Sequence, residues 1–127
     1  MYKFWGKVRI DHQRGKDLGF PTANVNLSKN IPEGIYISKI RINGIEHKSL
    51  TFIGKVKTFD GKKYQSETYI LDFDEQVPSF GNRNIYGKWI SVDLIKKIRE
   101  NQKFASAKDL VNQMKKDEEV ARKYFGI

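Results

Sequence analysis

A hydroxyl and an amide follow a rigid dipeptide in the stretch KDLGFPTANV, residues 16–25. Phe20 precedes a proline and is pushed towards an extended backbone, and Pro21 has a fixed φ, so the next residues leave in a set direction. If the extension continues, Thr22 and Asn24 face the same side. Their neutral oxygens are hard ligands, suited to Mg²⁺ that draws the rest of its shell from water and nucleotide phosphates.

The segment just upstream, RGKDLG, contains two glycines and two basic side chains, Arg14 and Lys16. Glycine lets the backbone approach a phosphate closely, and the basic side chains supply positive charge. Together with Thr22 and Asn24, the segment is a candidate site for a metal-bound polyphosphate. The local pattern leaves an alternative open, a simple loop entry in which Asn24 bonds its own turn. No Walker sequence is present.

A carboxylate at an unusual position is the second candidate for chemistry. In SETYILDF, Glu67 has the same parity as Tyr69, Leu71 and Phe73, which predicts that it projects to the apolar, core-directed face of a strand. A charge there is costly unless it is paired or lies at a mouth. At the rim of a barrel, Glu67 could accept a proton or hydrogen bond from a substrate hydroxyl. The alternative is a strand that twists or bulges and leaves Glu67 in water.

Alternating apolar and basic residues at 2–10 predict a first strand. Asn43-Gly44 and Asp60-Gly61 each lie between two strand-like runs and readily take the positive φ angles of tight turns, so they predict two antiparallel hairpins. Another strand is predicted from Lys88 to about Leu94. Five or six strands therefore precede any convincing helix.

The helix comes last in the chain. Ser106 can cap it, Asp109 follows three residues later, and apolar residues recur at spacings near 3.6 up to Phe125. Consecutive short strands followed by one amphipathic helix predict a small antiparallel barrel with the helix laid against it. Residues 74–84 are polar, contain proline and glycine, and are predicted to form one long loop that carries function.

The composition is that of an ordinary globular protein, with 39% hydrophobic and 31% charged residues. There are no cysteines, which excludes disulfides and thiolate chemistry, and no apolar run is long enough for a signal peptide or membrane span. We therefore expect a cytoplasmic protein. The formal net charge of +9 favours an anionic partner without choosing among nucleic acid, membrane and a phosphorylated small molecule.

Six segments match a known family in order. They are RGKDLGFPTAN, PEGIY, FIG, ETYILDFD, IYGK and IRENQKF. The chain resembles the riboflavin kinase domain, which stands alone in eukaryotes and is the C-terminal module of bacterial bifunctional FAD synthetases. The resemblance covers nearly the whole chain and implies a mainly β fold, a six-stranded antiparallel Greek-key barrel with a C-terminal helix packed against it. It implies one domain over residues 1–127, with the barrel at about 1–95 and the helix at about 107–125.

The resemblance also implies an activity, ATP-dependent phosphorylation of the riboflavin 5′-hydroxyl to give FMN and ADP, with Mg²⁺ or another divalent metal. Glu67 would be the catalytic base, and Thr22 and Asn24 would bind the metal and the ATP phosphates. Lys16 would contact the nucleotide and Tyr86 would line its side of the site. The residues that match the flavin-closing segment are Arg99, Gln102 and Phe104. We expect riboflavin, FMN, ATP and ADP as partners, no nucleic acid or membrane, and a monomer.

Several positions depart from the family pattern. Asp11 stands where glycine is usual, Phe52 replaces Asn or Ser, Lys57 replaces a proline, and Tyr69 replaces a histidine. Every proposed catalytic group is present, and without an adenylyltransferase motif ahead of Met1 we expect the chain as given not to make FAD. Two alternatives stay open: a barrel that binds flavin or nucleotide without turnover, and a small basic barrel that binds nucleic acid.

Overall fold

The computed structural model describes residues 2–9, 22–27, 30–58, 61–72 and 87–127. Within these residues the chain forms six strands followed by one helix. The elements are β1 (Tyr2–Lys7), β2 (Thr22–Asn26), β3 (Gly34–Ile42), β4 (Ile45–Thr58), β5 (Gly61–Ile70), β6 (Trp89–Arg99) and α1 (Ala107–Phe125). No helix in the described part of the chain is both long enough and apolar enough to cross a membrane.

All strands pair antiparallel in one sheet of order β1-β6-β3-β4-β5-β2. The two ends of the sheet approach each other just after β1, where the Arg9 backbone N–H donates to the Asn24 carbonyl at 2.9 Å. Hairpins connect β3, β4 and β5, and β2 lies beside β5, which is a Greek-key arrangement. The predicted mainly β fold, a nearly closed six-stranded barrel with a C-terminal helix, is confirmed.

The turn between β3 and β4 is the one predicted from its dipeptide. Asn43 and Gly44 have φ angles of 51° and 79°, and both therefore lie in the left-handed region that a type I′ hairpin turn requires. In the next hairpin Gly61 already pairs with Thr58 at the start of β5, so it belongs to the ladder rather than the turn. Residues 59 and 60, including Asp60, lie outside the described residues.

The barrel interior is filled by alternate residues of every strand, together with Val8 and Ile31, which lie outside the strands. The strand residues are Phe4, Ala23, Val25, Tyr36, Ile40, Ile42, Ile53, Ile70, Ile90, Val92 and Leu94. Among the fully buried hydroxyl side chains of this interior, those of Ser38, Ser49, Thr51 and Thr68 connect β3, β4 and β5. Ser38 Oγ lies 2.7 Å from both Ser49 Oγ and Thr51 Oγ1, and Thr51 Oγ1 lies 2.9 Å from Thr68 Oγ1. Because each hydroxyl both donates and accepts, these buried groups satisfy one another.

Strand β6 is longer than its sequence pattern predicts. Its pairing with β3 shifts register twice, and each shift leaves one β6 residue without an opposite partner, first Ile95 and then Ile98. An extra residue moves the side chains beyond it to the other face, so simple alternation fails after Leu94. Both extra isoleucines join a second apolar cluster, on the outer face of the sheet.

Helix α1 covers that outer face. The second cluster comprises Ile35, Ile37, Leu50, Leu71 and Ala121, with Phe52, Tyr69, Ile95, Ile98 and Phe125 partly buried around it. As predicted, Ser106 caps the helix, its Oγ accepting from the Asp109 backbone N–H at 3.2 Å. Gly126 caps the C-terminal end of the helix with a φ of 74°, which suits glycine, and Ile127 N–H donates to the Arg122 carbonyl at 3.0 Å.

Candidate active site

The ladder between β2 and β5 brings the two candidate clusters of the sequence together. Asn24 lies directly opposite Glu67, and Thr22 lies directly opposite Tyr69. Side chains at directly opposed positions project to the same face, with Cβ atoms about 4.5–5.5 Å apart. The amide of Asn24 and the carboxylate of Glu67 are therefore neighbours, although 43 positions of sequence separate them.

The face they share is the outer one. Ala23 and Val25 belong to the interior cluster, so the residues that alternate with them, including Asn24, face outward. Asn24 is nevertheless only 1% exposed, and Glu67 is partly buried. The Arg9 backbone bond to the Asn24 carbonyl fixes this strand against the end of β1.

The prediction for Glu67 was correct about its described apolar neighbours, and the core that they face is the outer cluster beneath α1; Phe73 lies outside the described residues. Tyr69 and Leu71 do share its face, but that face is packed beneath α1 rather than inside the barrel. The barrel interior takes the other parity of β5, that of Thr68 and Ile70. A period of two identifies which residues lie together, but in a barrel covered by a helix both faces are apolar, so the period cannot identify the interior.

Several predicted site residues are not described in full. Lys16 and Tyr86 lie outside the described residues, as do Asp11 and the predicted loop at 74–84. Of Thr22 only the backbone position is described, opposite Tyr69 in the ladder. The roles predicted for these residues therefore remain predictions.

The end of β6 and the segment that follows it are held at two points, one on the helix and one on the barrel. Arg99 donates from Nε and Nη2 to the two carboxylate oxygens of Asp117, at 2.8 and 2.7 Å, and from Nη1 to the Glu100 carbonyl at 3.1 Å. Asn101 Nδ2 donates to the Ile53 carbonyl at 3.1 Å. The guanidinium of Arg99, predicted to bind flavin, thus has a structural partner on the helix, a contact that the resemblance did not indicate.

Gly54, the glycine of the FIG motif, explains why β4 can accept that segment. A Cβ built at this position would lie 3.0 Å from Asn101 Nδ2 and still closer to the Phe52 ring. A larger residue would push Asn101 away from the Ile53 carbonyl. Farther along the segment, Gln102 is exposed and Phe104 is partly buried. Gln102 and Phe104, both predicted to contact the flavin, are therefore at least partly accessible, and they lie in a stretch that is anchored to β4.

A charged network joins α1 to the end of β5. The Tyr69 hydroxyl donates to Glu118 Oε1 at 2.9 Å, and Arg122 Nε donates to Glu118 Oε2 at 2.9 Å. Arg122 also donates from Nη2 to Asp72 Oδ1 at 2.6 Å and from Nη1 to Asp72 Oδ2 at 3.2 Å. Both carboxylates are thus held by one guanidinium.

The network shifts the pKa values of Tyr69 and Asp72. Burial, reinforced by the hydrogen bond to Glu118, raises the pKa of Tyr69 above its ordinary value, so its phenol stays protonated and donates. The Arg122 hydrogen bond lowers the pKa of Asp72. At pH 7 Tyr69 is neutral and Asp72 is charged, the states that the hydrogen bonds need, and both pKa shifts move further in that direction.

Sequence reasoning missed this network. Asp72, Asp117, Glu118 and Arg122 are not among its candidate site residues. One local signal was available, because Glu118 and Arg122 are four residues apart on a predicted helix and such pairs interact. The other contacts join residues 18 to 50 positions apart, which no local pattern reports.

The available donors suit a hard divalent cation bound together with a polyphosphate. Among the described residues no group of three or more His, Cys, Asp or Glu side chains could hold a metal ion by itself. The amide oxygen of Asn24 instead is a hard neutral ligand, the kind that Mg²⁺ uses when phosphates and water complete its shell. The residues therefore fit the magnesium that the resemblance implies.

Comparisons with known proteins agree with this geometry. The family model described as Flavokinase, riboflavin kinase, matches residues 1–125. The trifunctional protein RibF/MnmA of Mycoplasmoides gallisepticum is 37% identical over 94% of this chain and 18% of its own length. The bifunctional riboflavin kinase/FMN adenylyltransferase of Bacillus subtilis is 34% identical over 98% of this chain and 39% of its own length. The chain thus spans less than half the length of these curated relatives.

Two solved structures are similar in fold. A crystal structure described as a macrolide-efflux protein from Streptococcus pneumoniae superposes with a TM-score of 0.79 and 34% identity, over 94% of this chain and 38% of that one. Riboflavin kinase from Trypanosoma brucei gives a TM-score of 0.61 at 24% identity, over 98% of this chain and 79% of that one, a likeness of fold. With the family model matched over almost every residue, the chain belongs to the riboflavin kinase family.

Proposed function

We propose that this chain transfers the γ-phosphoryl group of ATP to the 5′-hydroxyl of riboflavin, giving FMN and ADP. Membership of the riboflavin kinase family supports the substrates and the reaction. One structural observation carries the proposal for the site: the buried Asn24 amide lies directly opposite the partly buried Glu67 carboxylate on adjacent strands. A group for the phosphate side and a group for the hydroxyl side are thus adjacent.

In the proposed reaction Glu67 orients the nucleophile. Its carboxylate accepts a hydrogen bond from the riboflavin hydroxyl, whose oxygen bonds to the γ-phosphorus as the bond to the β–γ bridging oxygen breaks. The hydroxyl proton passes to Glu67, and ADP leaves with the bridging oxygen. Because such transition states are mostly loose, alignment of the hydroxyl contributes more than early removal of its proton.

Thr22 and Asn24 would hold magnesium together with the ATP phosphates. When bound, the ion neutralises charge on the transferring phosphoryl oxygens. Asn24 is suited to this role because its neighbours in β2 are locked in the interior cluster, which fixes the direction of its amide. Lys16 would add positive charge near the phosphates, and Tyr86 would line the nucleotide side.

The flavin side of the proposed site is the segment that follows β6. Gln102 and Phe104 would contact the flavin ring, and the bonds made by Arg99 and Asn101 support the segment from both the helix and β4. Because the Arg99 guanidinium is held by Asp117, any flavin contact by Arg99 would have to coexist with that pair. Preformed contacts of this kind reduce the ordering cost of binding.

Further properties of the chain remain proposals. We propose that residues 1–127 act as one domain, as a monomer, in the cytoplasm, and with no nucleic acid as partner. Adenylylation of FMN is named for the longer relatives, of which this chain matches 37 to 39%. The proposal for this chain is limited to the kinase step.

One assay tests the proposal directly. The purified chain is mixed with riboflavin, ATP and MgCl₂, and FMN and ADP are separated and quantified over time. We expect the two products to appear in equal amounts and at a rate proportional to protein. Glu46→Gln is a matched control for site variants, since this exposed glutamate lies near the turn between β3 and β4 and pairs only loosely with Lys39, at 4.0 Å.

Two outcomes would contradict the proposal. Riboflavin and ATP binding with no FMN under Mg²⁺, Mn²⁺ or Zn²⁺ would indicate a barrel that binds its ligands without turnover. Absence of FMN together with tight, salt-sensitive binding of an oligonucleotide would indicate a nucleic-acid-binding barrel instead.

A further inference from the structure

Two consecutive residues of α1 hold two different parts of the proposed site. Asp117 is almost fully buried and accepts both hydrogen bonds of the Arg99 fork, together with one from Gln113 Nε2 at 3.0 Å. Its neighbour Glu118 accepts from the Tyr69 hydroxyl on β5. A single helical turn therefore bonds to the end of β6 through one carboxylate and to β5 through the next.

The two attachment points are close in sequence to the groups that the reaction must bring together. Tyr69 is two residues after Glu67 and on the same face of β5, so holding Tyr69 limits how far the strand beneath Glu67 can twist. Arg99 is the last residue of β6 and immediately precedes the segment of Gln102 and Phe104. Bidentate pairing of a guanidinium with a carboxylate fixes orientation as well as distance.

Glu118, the helix residue that bonds to β5, is itself held by a second hydrogen bond. Glu118 also accepts from Arg122 Nε, and the same guanidinium makes two bonds to Asp72, which lies two residues after the end of β5. Strand β5 is therefore hydrogen-bonded to the helix at Tyr69, and the chain is bonded to it again just past the end of the strand. Tyr69 and Glu118 are both partly buried, which strengthens their hydrogen bond relative to an exposed one.

We infer that Asp117 and Glu118 are positioning residues for phosphoryl transfer: Glu118 sets the direction of Glu67 through Tyr69, and Asp117 sets the flavin segment through Arg99. The inference rests on the proposed function. Neither residue touches the reacting atoms. Because a misplacement of about 1 Å can cost on the order of a hundredfold in rate, loss of either contact is expected to appear in kinetics. The two contacts affect different kinetic constants, since one positions the base and the other positions a substrate segment.

The β5 contact is tested with Tyr69→Phe, Glu118→Ala and the double variant. Each single change is expected to lower kcat about tenfold with the KM for riboflavin within about twofold, because the base is misaligned while the substrates still bind. Since both changes remove the same bond, the double variant should be no slower than Glu118→Ala. Glu119→Ala, the same change at the next and exposed helix position, is the matched control and should retain full kcat.

Two results would overturn this part of the inference. One is a double variant whose loss equals the product of the two single losses, since independent effects do not arise from one shared bond. The other is an unchanged kcat in both single variants. Circular dichroism melting of each variant confirms that the rates refer to folded protein.

The β6 contact is tested with Asp117→Asn. We expect the KM for riboflavin to rise about tenfold while the KM for ATP stays within about twofold, because only the flavin segment loses its support. If this variant does not fold, Gln113→Leu removes one hydrogen bond to Asp117 and should raise the KM for riboflavin in the same direction by a smaller factor. Equal increases in both KM values, or no change in either, would refute the role of Asp117.

Amide hydrogen exchange separates this inference from the proposed function. Glu118→Ala should speed exchange at residues 67–71 and leave 99–104 unchanged, and Asp117→Asn should do the reverse. If the wild type makes no FMN, the proposed function fails, yet this exchange pattern would still show that the helix holds the two segments separately. Faster exchange at both segments in both variants would instead mean general loosening and would overturn the inference.

Discussion

The sheet of this protein has two apolar faces, and the polar groups that accompany them differ in kind. Inside the barrel several neutral hydroxyls bond to one another, such as those of Ser38 and Thr51, both fully buried. On the outer face beneath α1, the apolar cluster is bordered by charged pairs, including Arg99 with Asp117 and Arg122 with Asp72. The candidate site residues Asn24 and Glu67 belong to this outer side.

Strand β5 contributes to both faces and shows what the difference means. Thr68 faces inward and completes the hydroxyl chain, while Glu67 next to it faces outward opposite Asn24. A neutral interior can be packed for stability alone, because its groups need no contact with substrate. A charged outer face can serve a reaction, because charged side chains can be held there by partners of opposite sign. We therefore expect stability and catalysis to respond to different residues of the same strand.

The largest expected effect on stability comes from the interior. Ile40 is fully buried, and Ile40→Ala should lower the free energy of unfolding by about 2–5 kcal/mol through lost burial and the cavity left behind. Chemical denaturation measures the loss, with Val120→Ala as control because Val120 is 47% exposed on α1. FMN formation per folded molecule should stay within about twofold of wild type. A fall in that rate well beyond the folded fraction would show that the two faces are not separate.

A smaller effect is expected from the hydroxyl chain. Thr51 contacts both Ser38 and Thr68, so Thr51→Val removes two hydrogen bonds and leaves buried hydroxyls short of partners, at a cost of about 1–3 kcal/mol. Ser49→Ala removes a hydroxyl with one such contact and should cost less. Urea unfolding of the two variants gives the order. If Ser49→Ala were the more destabilising variant, the hydrogen bonds between these buried hydroxyls would not be the source of the interior's stability.

The smallest effect concerns an exposed ion pair on the outer face. The Arg122 hydrogen bond holds the pKa of Asp72 below its unfolded value, about 3.9. The pair therefore stabilises the fold above that pH and loses its contribution as pH falls through the folded pKa. Asp72→Asn should cost at most about 1 kcal/mol at pH 7, since the Asp72 side chain is 66% exposed. The difference in the free energy of unfolding between variant and wild type should shrink on acidification, as measured by denaturation at pH 7 and near pH 3. A difference that stays constant with pH would contradict this stabilising role of the ion pair.

Much of this molecule was predictable from its sequence, for identifiable physical reasons. The Asn43-Gly44 turn and the Ser106 cap depend on local backbone chemistry, and both are present. The order of several strands followed by one helix came from the hydrophobic periods and from the two hairpin dipeptides. The length of β6 was not predictable, because its two extra residues break the period.

The site was predictable in its membership more than in its surroundings. Parity alone placed Glu67 with Tyr69, but which face of a barrel is the interior depends on the helix that covers the other one. The pairing of Arg99 with Asp117 depends on where β6 ends relative to α1, which is a property of the folded chain. Charged pairs across tertiary contacts carry no local signature, so the helix network appears only in the structure.

The central claim is that the outer face of β5 performs the reaction and the inner face does not. The direct test is to measure turnover and melting temperature for Glu67→Gln and Thr68→Val, adjacent residues on opposite faces. The account predicts that Glu67→Gln slows FMN formation at least about a hundredfold with little change in melting temperature or ligand affinity. It predicts that Thr68→Val lowers the melting temperature with turnover within about twofold. Full turnover in Glu67→Gln would contradict the account.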